Sequence, residues 1–531
     1  MSPASTLSAA RSAPGGRARA WRAWIVVLLA GAAFVGASLW PWRHLVNGDY
    51  LLRFCGFAAA LCAVVLVLAA IVSRLLRRGP ASASLVAAAS LAVLVPVWAW
   101  NRRADIDVIL LHLDSLRADH CSAYGYERET TPRLADFARR HGVRFTRFFS
   151  QSAGTDKSTP AYLCSIYPSM FCDPATEGPL FAVPARFPLL SEYLARAGWR
   201  CWGFSSNPQV NAQRGYERGF EALETWWKSS PRPHELMARL RAHLEASTAG
   251  RDFVFGLVLD PHMPYTPAPA FDLWSQPGTP DYATLQSLHN DRGVAGEALI
   301  GAVMDLYDGE IREVDAALGE LFDWLESSGR IERTLVVVTA DHGEKFLEHG
   351  EFGHGGLLYD DVTHIPLVAS FPSPLRFPRL VAVLADYEGL ASHIDLLPTI
   401  LGFVGAPASD AHIRGRDLVP FLYGRQPVPE GEVYMEELVD DTFARALRTP
   451  THKALWFRRQ DEAEQQALFD LVADPGEHSP AGEGEPSGRL AAMRREIDRY
   501  LAESRRFYQR EDGAPLDEAT RQALEELGYT H

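Results

Sequence analysis

Residues Thr334–Gly355 read TLVVVTADHGEKFLEHGEFGHG, and the change of character at Asp341 decides the fold. Leu335–Thr339 are apolar or β-branched without a break, the pattern of a strand buried on both faces. An adjacent carboxylate and imidazole, Asp341-His342, follow at once. In α/β sheets ligands collect beyond the carboxyl ends of parallel strands. A paired Asp and His there is a half-site for a divalent metal. His354 follows twelve residues later, between glycines that allow close backbone approach. In isolation the motif also reads as an Asp N-cap and a surface His on a loop. The rest of the chain separates the two readings.

Working outward, Asp107–Leu113 (DVILLHL) reads as a first buried strand ending at Asp114. Phe253–Leu259 reads as another, leading to Asp260-Pro261-His262. Thr131–His141 is a helix pattern with Pro at its start. Val303–Ser327 is amphipathic, with Leu306, Val314, Leu318 and Leu321 among its apolar positions, and it leads into the Leu335–Thr339 strand. Alternating strands and helices imply an α/β domain with a mostly parallel sheet flanked by helices. After about residue 428 the pattern changes to short strands and a final helix, Gly488–Ser504, a small C-terminal α+β subdomain. The expected division is 1–103, 104–428 and 429–531. Candidate ligands stand at three strand ends: Asp114, Asp260 with His262, and Asp341 with His342. Between the first two lies Gly154-Thr155-Asp156-Lys157-Ser158-Thr159.

These segments, in this order, resemble the sulfatase family of the alkaline-phosphatase-like superfamily. VILLHLDSLRADHCSAYGYERETTPRLADFARRHGVRFTRFFSQS is similar to that family's opening strand, helix and lead-in to the nucleophile. LDPHMPY and TADHGEKFLEHGEFGHG resemble its later site segments. HIDLLPTILGFVGAP, GRDLVPFLYG, HKALWF and ALFDLVADPGE resemble its closing helix, turn and C-terminal strands. The resemblance implies a catalytic domain over 104–428 and a sulfatase-type subdomain over 429–531.

The departures from the family carry as much information. Its nucleophile is a Cys or Ser converted to formylglycine within a CxPSR-like motif. Counting back from Tyr167-Pro168, the matching residue here is Thr155, which is no formylglycine precursor. Lys157 and Thr159 replace the motif's Pro and Arg. Cys164 falls where the family has a packing residue. The family's paired Asp and its Asp-Asn pair become Asp114-Ser115 and Asp341-His342. Two carboxylates, an imidazole and a hydroxyl suit zinc or manganese better than calcium or magnesium. The expected ligands of one divalent ion are therefore Asp114, Thr155, Asp341 and His342, with a second ion left open. This set is similar to the phosphoethanolamine and lipoteichoic-acid-type transferases. The resemblance implies Thr155 as nucleophile toward a phosphate ester, with His262, His354 and Lys157 contacting the substrate. Arg117 is read as a brace of the first loop and His349 as structural. Two alternatives stand beside this reading: a sulfuric ester hydrolase without formylglycine, and an inactive scaffold that binds an envelope glycan or lipid.

The chain's 531 residues are 47% apolar and 22% charged, a globular composition. A net charge of −14 excludes a general nucleic-acid binder. The first hundred residues stand apart. Ala23–Trp42, Phe54–Ser73 and Ala83–Trp100 carry no charge, and each is about long enough to span a bilayer. Seven arginines (11, 17, 19, 22, 74, 77 and 78) would share one side and four (43, 53, 102 and 103) the other. That asymmetry predicts three transmembrane helices, a cytoplasmic N-terminus and an extracytoplasmic catalytic domain. The expected substrate is then a phosphate- or sulfate-ester lipid or glycan of the envelope. Of six cysteines, Cys121, Cys164, Cys172 and Cys201 would be exported, with Cys164 and Cys172 close enough in sequence to pair.

Overall fold

The computed structural model describes residues 106–522, apart from 173–181, 227–229, 248–249, 285–296, 373–385, 407–409, 424–425, 440–441, 460–461, 482–486 and 510–519. The three charge-free N-terminal stretches lie outside the described residues. Among the described residues no helix is long and apolar enough to cross a membrane. The expectation of an integral membrane protein is therefore corrected: it rested on hydropathy and arginine counts alone, and no described helix supports it.

An eight-stranded sheet organises Asp105–His531, which forms one compact unit. Its strands in chain order are β1 (Asp107–Leu113), β2 (Gly142–Phe145), β3 (Arg200–Ser205), β4 (Ala222–Thr225), β5 (Asp252–Val258), β6 (Thr334–Ala340), β7 (Leu367–Ser370) and β8 (Asp386–Tyr387). In space they run β8-β2-β7-β6-β1-β5-β3-β4. Strand β7 alone runs antiparallel to its neighbours, and every other pairing is parallel. The central strands β1, β5 and β6 are buried at every position, which is why their sequences are continuous rather than alternating.

Helices α1 (Pro132–His141), α2 (Thr155–Cys164), α3 (Leu190–Arg196), α4 (Pro233–Ala246) and α5 (Glu297–Ser327) follow the strands. The long α5 packs on α1 and α4. Asp315 of α5 accepts the Arg133 and Leu134 amide hydrogens, each at 2.9 Å, and so caps α1, whose own Thr131 makes no side-chain cap.

The C-terminal part is an antiparallel meander of β9 (Val433–Val439), β10 (Thr442–Arg448), β11 (His452–Arg458) and β12 (Gln465–Asp470). Helix α6 (Leu396–Val404) precedes it, and α7 (Ser487–Arg505) packs against β10 and β11. Met435, Ala446, Leu455 and Phe469 of the meander share one apolar core with Phe149, Leu358 and Val362. The meander's inner face is therefore covered by the loops around the large sheet's active end.

Candidate active site

Strand register brings the acidic residues together. Leu113 lies beside Ala340 in the β1–β6 pair, so Asp114 and Asp341 are the next residues of neighbouring strands. With His342 they form a buried group whose ligand atoms all lie within 4.8 Å of one another. Ser115 takes the left-handed conformation, φ 59°, rare for a residue with a Cβ. Its carbonyl accepts the Tyr307 hydroxyl at 2.7 Å, and its amide donates to Asp341 Oδ1 at 3.1 Å. Its hydroxyl donates to Asp114 Oδ1 at 3.2 Å, while Asn207 Nδ2 donates to Asp114 Oδ2. A Cβ on Gly343 would meet the Asp361 carbonyl oxygen at 2.1 Å, so the motif's third residue has to be glycine.

Thr155 opens α2 just after Gly154. Its hydroxyl donates to Asp341 Oδ2 at 2.7 Å and lies 3.2 Å from His342 Nε2. His342 Nδ1 is 2.8 Å from the Gly343 carbonyl oxygen, which can only accept. The proton therefore sits on Nδ1, and Nε2 turns its lone pair toward Thr155 and Asp114. Helix N-terminal amides add partial positive charge beside the hydroxyl.

The two carboxylates are electrostatically unlike. Burial, and then the charge of Asp341, push Asp114 well above its usual range. Burial opposes ionisation of Asp341 too, but His342, His112 and the Thr155 hydroxyl hold it well below. Burial keeps His342 low and neutral. Two buried carboxylates and a neutral imidazole form a donor set short of a cation, and Asp114, Asp341 and His342 fit a divalent metal ion, with the Thr155 hydroxyl beside them.

A second layer of imidazoles covers this group. His354 stacks on His342 with ring centroids 4.7 Å apart, and His262 lies 4.8 Å from His354. Glu344 backs His354: Oε1 is 3.3 Å from Nδ1, and Oε2 accepts the Tyr265 hydroxyl at 2.8 Å. Burial lowers His354, but the Glu344 carboxylate outweighs it and the net shift is upward. Burial, then His354, push His262 down to about 3.

The structure thus brings together Asp114, Thr155, Asp341, His342, His262 and His354. Asp260 is not among the clustered donors. Lys157 is buried and tied to carboxylates: its Nζ lies 2.9 Å from Asp156 Oδ2 and 3.1 Å from Glu437 Oε1. Arg117 does brace its loop, bonding Asp119, Glu348 and the Glu344 carbonyl. His349 stacks on Tyr359 at 3.6 Å. Cys121, Cys164, Cys172 and Cys201 are buried and form no disulfide among the described residues, so Cys164 and Cys172 do not bridge. Sequence reasoning missed Asn207, Glu344 and His112. His112 reaches Asp341 Oδ1 at 3.3 Å through Nε2 and bonds the Tyr162 hydroxyl through Nδ1. A lone His in the apolar run DVILLHL, and a Ser-Ser-Asn-Pro strand end, were the available signals.

The family described as Sulfatase matches residues 106–406. Human arylsulfatase A is 32% identical over 178 residues, covering 32% of this chain and 33% of that protein. The multifunctional alkaline phosphatase superfamily protein PehA of Trinickia caryophylli is 30% identical over 192 residues, covering 33% of this chain and 35% of the other. The chain thus matches about a third of the length of these relatives. The phosphonate monoester hydrolase of Agrobacterium radiobacter shares the fold, with a TM-score of 0.57 at 20% identity over 75% of this chain and 96% of that one. On the span of the family match and the convergence of its segments at one end of the sheet, the chain belongs to the sulfatase family.

Proposed function

We propose that this sulfatase-family enzyme cleaves or transfers a phosphate ester group with Thr155 as nucleophile. One observation carries the reading: the Thr155 hydroxyl, at the position that the motif count assigns to the nucleophile, lies 2.7 Å from Asp341 Oδ2 and 3.2 Å from His342 Nε2. A threonine cannot become formylglycine, so the hydroxyl itself is the available nucleophile. A divalent ion held by Asp114, Thr155, Asp341 and His342 would lower the hydroxyl's pKa and neutralise charge on the transferring group.

The chain's own groups do the rest. Asp341 Oδ2, which accepts the Thr155 hydroxyl at 2.7 Å, takes its proton as the oxygen attacks. The Thr155 oxygen bonds to phosphorus as the bond to the leaving oxygen breaks. His354, held toward its protonated form by Glu344, supplies the leaving oxygen's proton, and neutral His262, whose Nδ1–H donates to the Met263 carbonyl oxygen at 2.6 Å, stands beside it. Water or an alcohol then attacks phosphorus and releases Thr155.

Intact-peptide mass spectrometry across Gly154–Tyr162, with kinetics on aryl phosphate, phosphodiester and sulfate esters, tests this. We expect unmodified Thr155 and transient phosphate on it. Thr155→Ala should lose on the order of 10³-fold or more in kcat, and Thr155→Ser should keep more. Full activity in Thr155→Ala refutes the covalent step. The similarity to arylsulfatase A favours a second reading, sulfate-ester hydrolysis without formylglycine. Sulfate turnover far above phosphate turnover would select it.

A further inference from the structure

Glu437, on β9 of the C-terminal meander, reaches into the loop that presents Thr155. Its Oε2 accepts the Ser152 hydroxyl at 2.6 Å and the Ala153 amide at 2.8 Å. Its Oε1 pairs with Lys157 Nζ at 3.1 Å. One buried carboxylate therefore grips the chain on both sides of Thr155. The β9 backbone adds a further bond, Glu436 N to the Gln151 carbonyl at 2.9 Å. Ala153 is held from the opposite side as well, since its carbonyl accepts the Gly355 amide at 2.7 Å next to His354. The nucleophile loop is thus suspended between the meander and the His354 loop.

We infer that Glu437 is a positioning residue for the nucleophile, and that Lys157 is the cationic end of this brace rather than a substrate contact. The inference rests on Thr155 being the nucleophile. Burial alone would favour a neutral Lys157 amine, and the carboxylates of Asp156 and Glu437 outweigh it, so the charge is retained for the pair. Neither end of the brace is free to meet a substrate, because both oxygens of Glu437 and the ammonium of Lys157 are already engaged. Its contribution is geometric: it sets where the Thr155 hydroxyl lies relative to Asp341 and His342. A displacement of about 1 Å at a reacting atom costs on the order of 100-fold in rate.

The test compares full-length protein with Glu437→Gln, Lys157→Met and the double variant. Readouts are kcat and KM on an aryl phosphate, bound-metal stoichiometry, and hydrogen exchange of the 152–157 amides. We expect kcat to fall about 10- to 100-fold in each single variant, with KM and metal content unchanged and faster exchange across the loop. The double variant should be no worse than the poorer single one, because both remove the same brace. Unchanged exchange with unchanged kcat overturns the inference, and so does a rise in KM alone in Lys157→Met, the mark of a substrate contact. Exchange is read without turnover, so it tests the brace even if phosphate esters prove to be the wrong substrates. Lys157→Met tests it if Glu437→Gln does not fold.

Discussion

Asp114 and Asp341 are the same residue type at equivalent ends of neighbouring strands, yet their surroundings drive them in opposite directions. Asp341 is matched by two imidazoles, two amides and a hydroxyl. Asp114 accepts from Asn207 and Ser115, and burial and the charge of Asp341 make it resist ionisation. His342 is the neutral nitrogen donor between them. His342→Ala should therefore lose bound metal and activity together while far-ultraviolet circular dichroism stays unchanged; a variant that keeps its full metal content would remove His342 from the ligand set. At this scale the sequence was informative where chemistry is local. Asp341-His342 follows a strand directly, and Thr155 is found by counting within a motif. Glu437 was illegible, because its partners at residues 152–157 lie far upstream and only the folded chain joins them.

Elements meet through a buried charge cluster as well as apolar packing. Asp360, in the short helix Asp360–Thr363, accepts from Arg448 of β10 at 3.0 Å and Lys453 of β11 at 2.9 Å. Glu477 completes the cluster, 2.9 Å from Lys453. Burial opposes ionisation of Asp360, but Arg448 and Lys453 hold its carboxyl far below the ordinary 3.8. Its stabilising contribution is thus complete above that pH and is lost as pH falls below it. Glu477, pushed up to about 7 from 4.5 by burial, has the opposite sign: its stability is lost as pH rises through that interval. Asp360→Asn should cost about 3 kcal/mol at neutral pH by taking from Arg448 its carboxylate and leaving Lys453 with Glu477 alone. Urea denaturation across pH should show a shallower acid limb in the variant; an unaltered curve would mean that the apolar core alone fixes the meander. Periodicity anticipated β1, β5, β6, α1 and α7 to within a residue, whereas α5 starts at Glu297, six residues before the expected Val303. The start of α1 differed by one residue, because its cap comes from Asp315 of α5, a partner that local sequence cannot show.

For the molecule as a whole, the metal group and the fold should be thermodynamically linked, since the cation relieves buried like charge that only the folded chain gathers. At 100-fold excess over its dissociation constant a bound ion adds about 2.7 kcal/mol. Chelation should lower Tm, and zinc or manganese should restore it more fully than calcium; a Tm indifferent to chelator would separate the site from stability. The α/β class and the family were legible in the chain because strand burial and segment order are written along it. The arginine count addressed residues outside the described part, and no described helix supports the membrane placement drawn from it.

The brace also has a meaning in time. Ser152 and Glu437 stand 285 positions apart along the chain. At roughly 5–20 residues per second, about 15–60 s of synthesis separates the emergence of one from that of the other. By the end of that interval the nascent chain carries Asp114, Thr155, Asp341 and His354, yet the loop bearing Thr155 still lacks its hold from the meander. Because Glu437 emerges after all of these, the meander's hold on the Thr155 loop forms only once the residues of the site have been made.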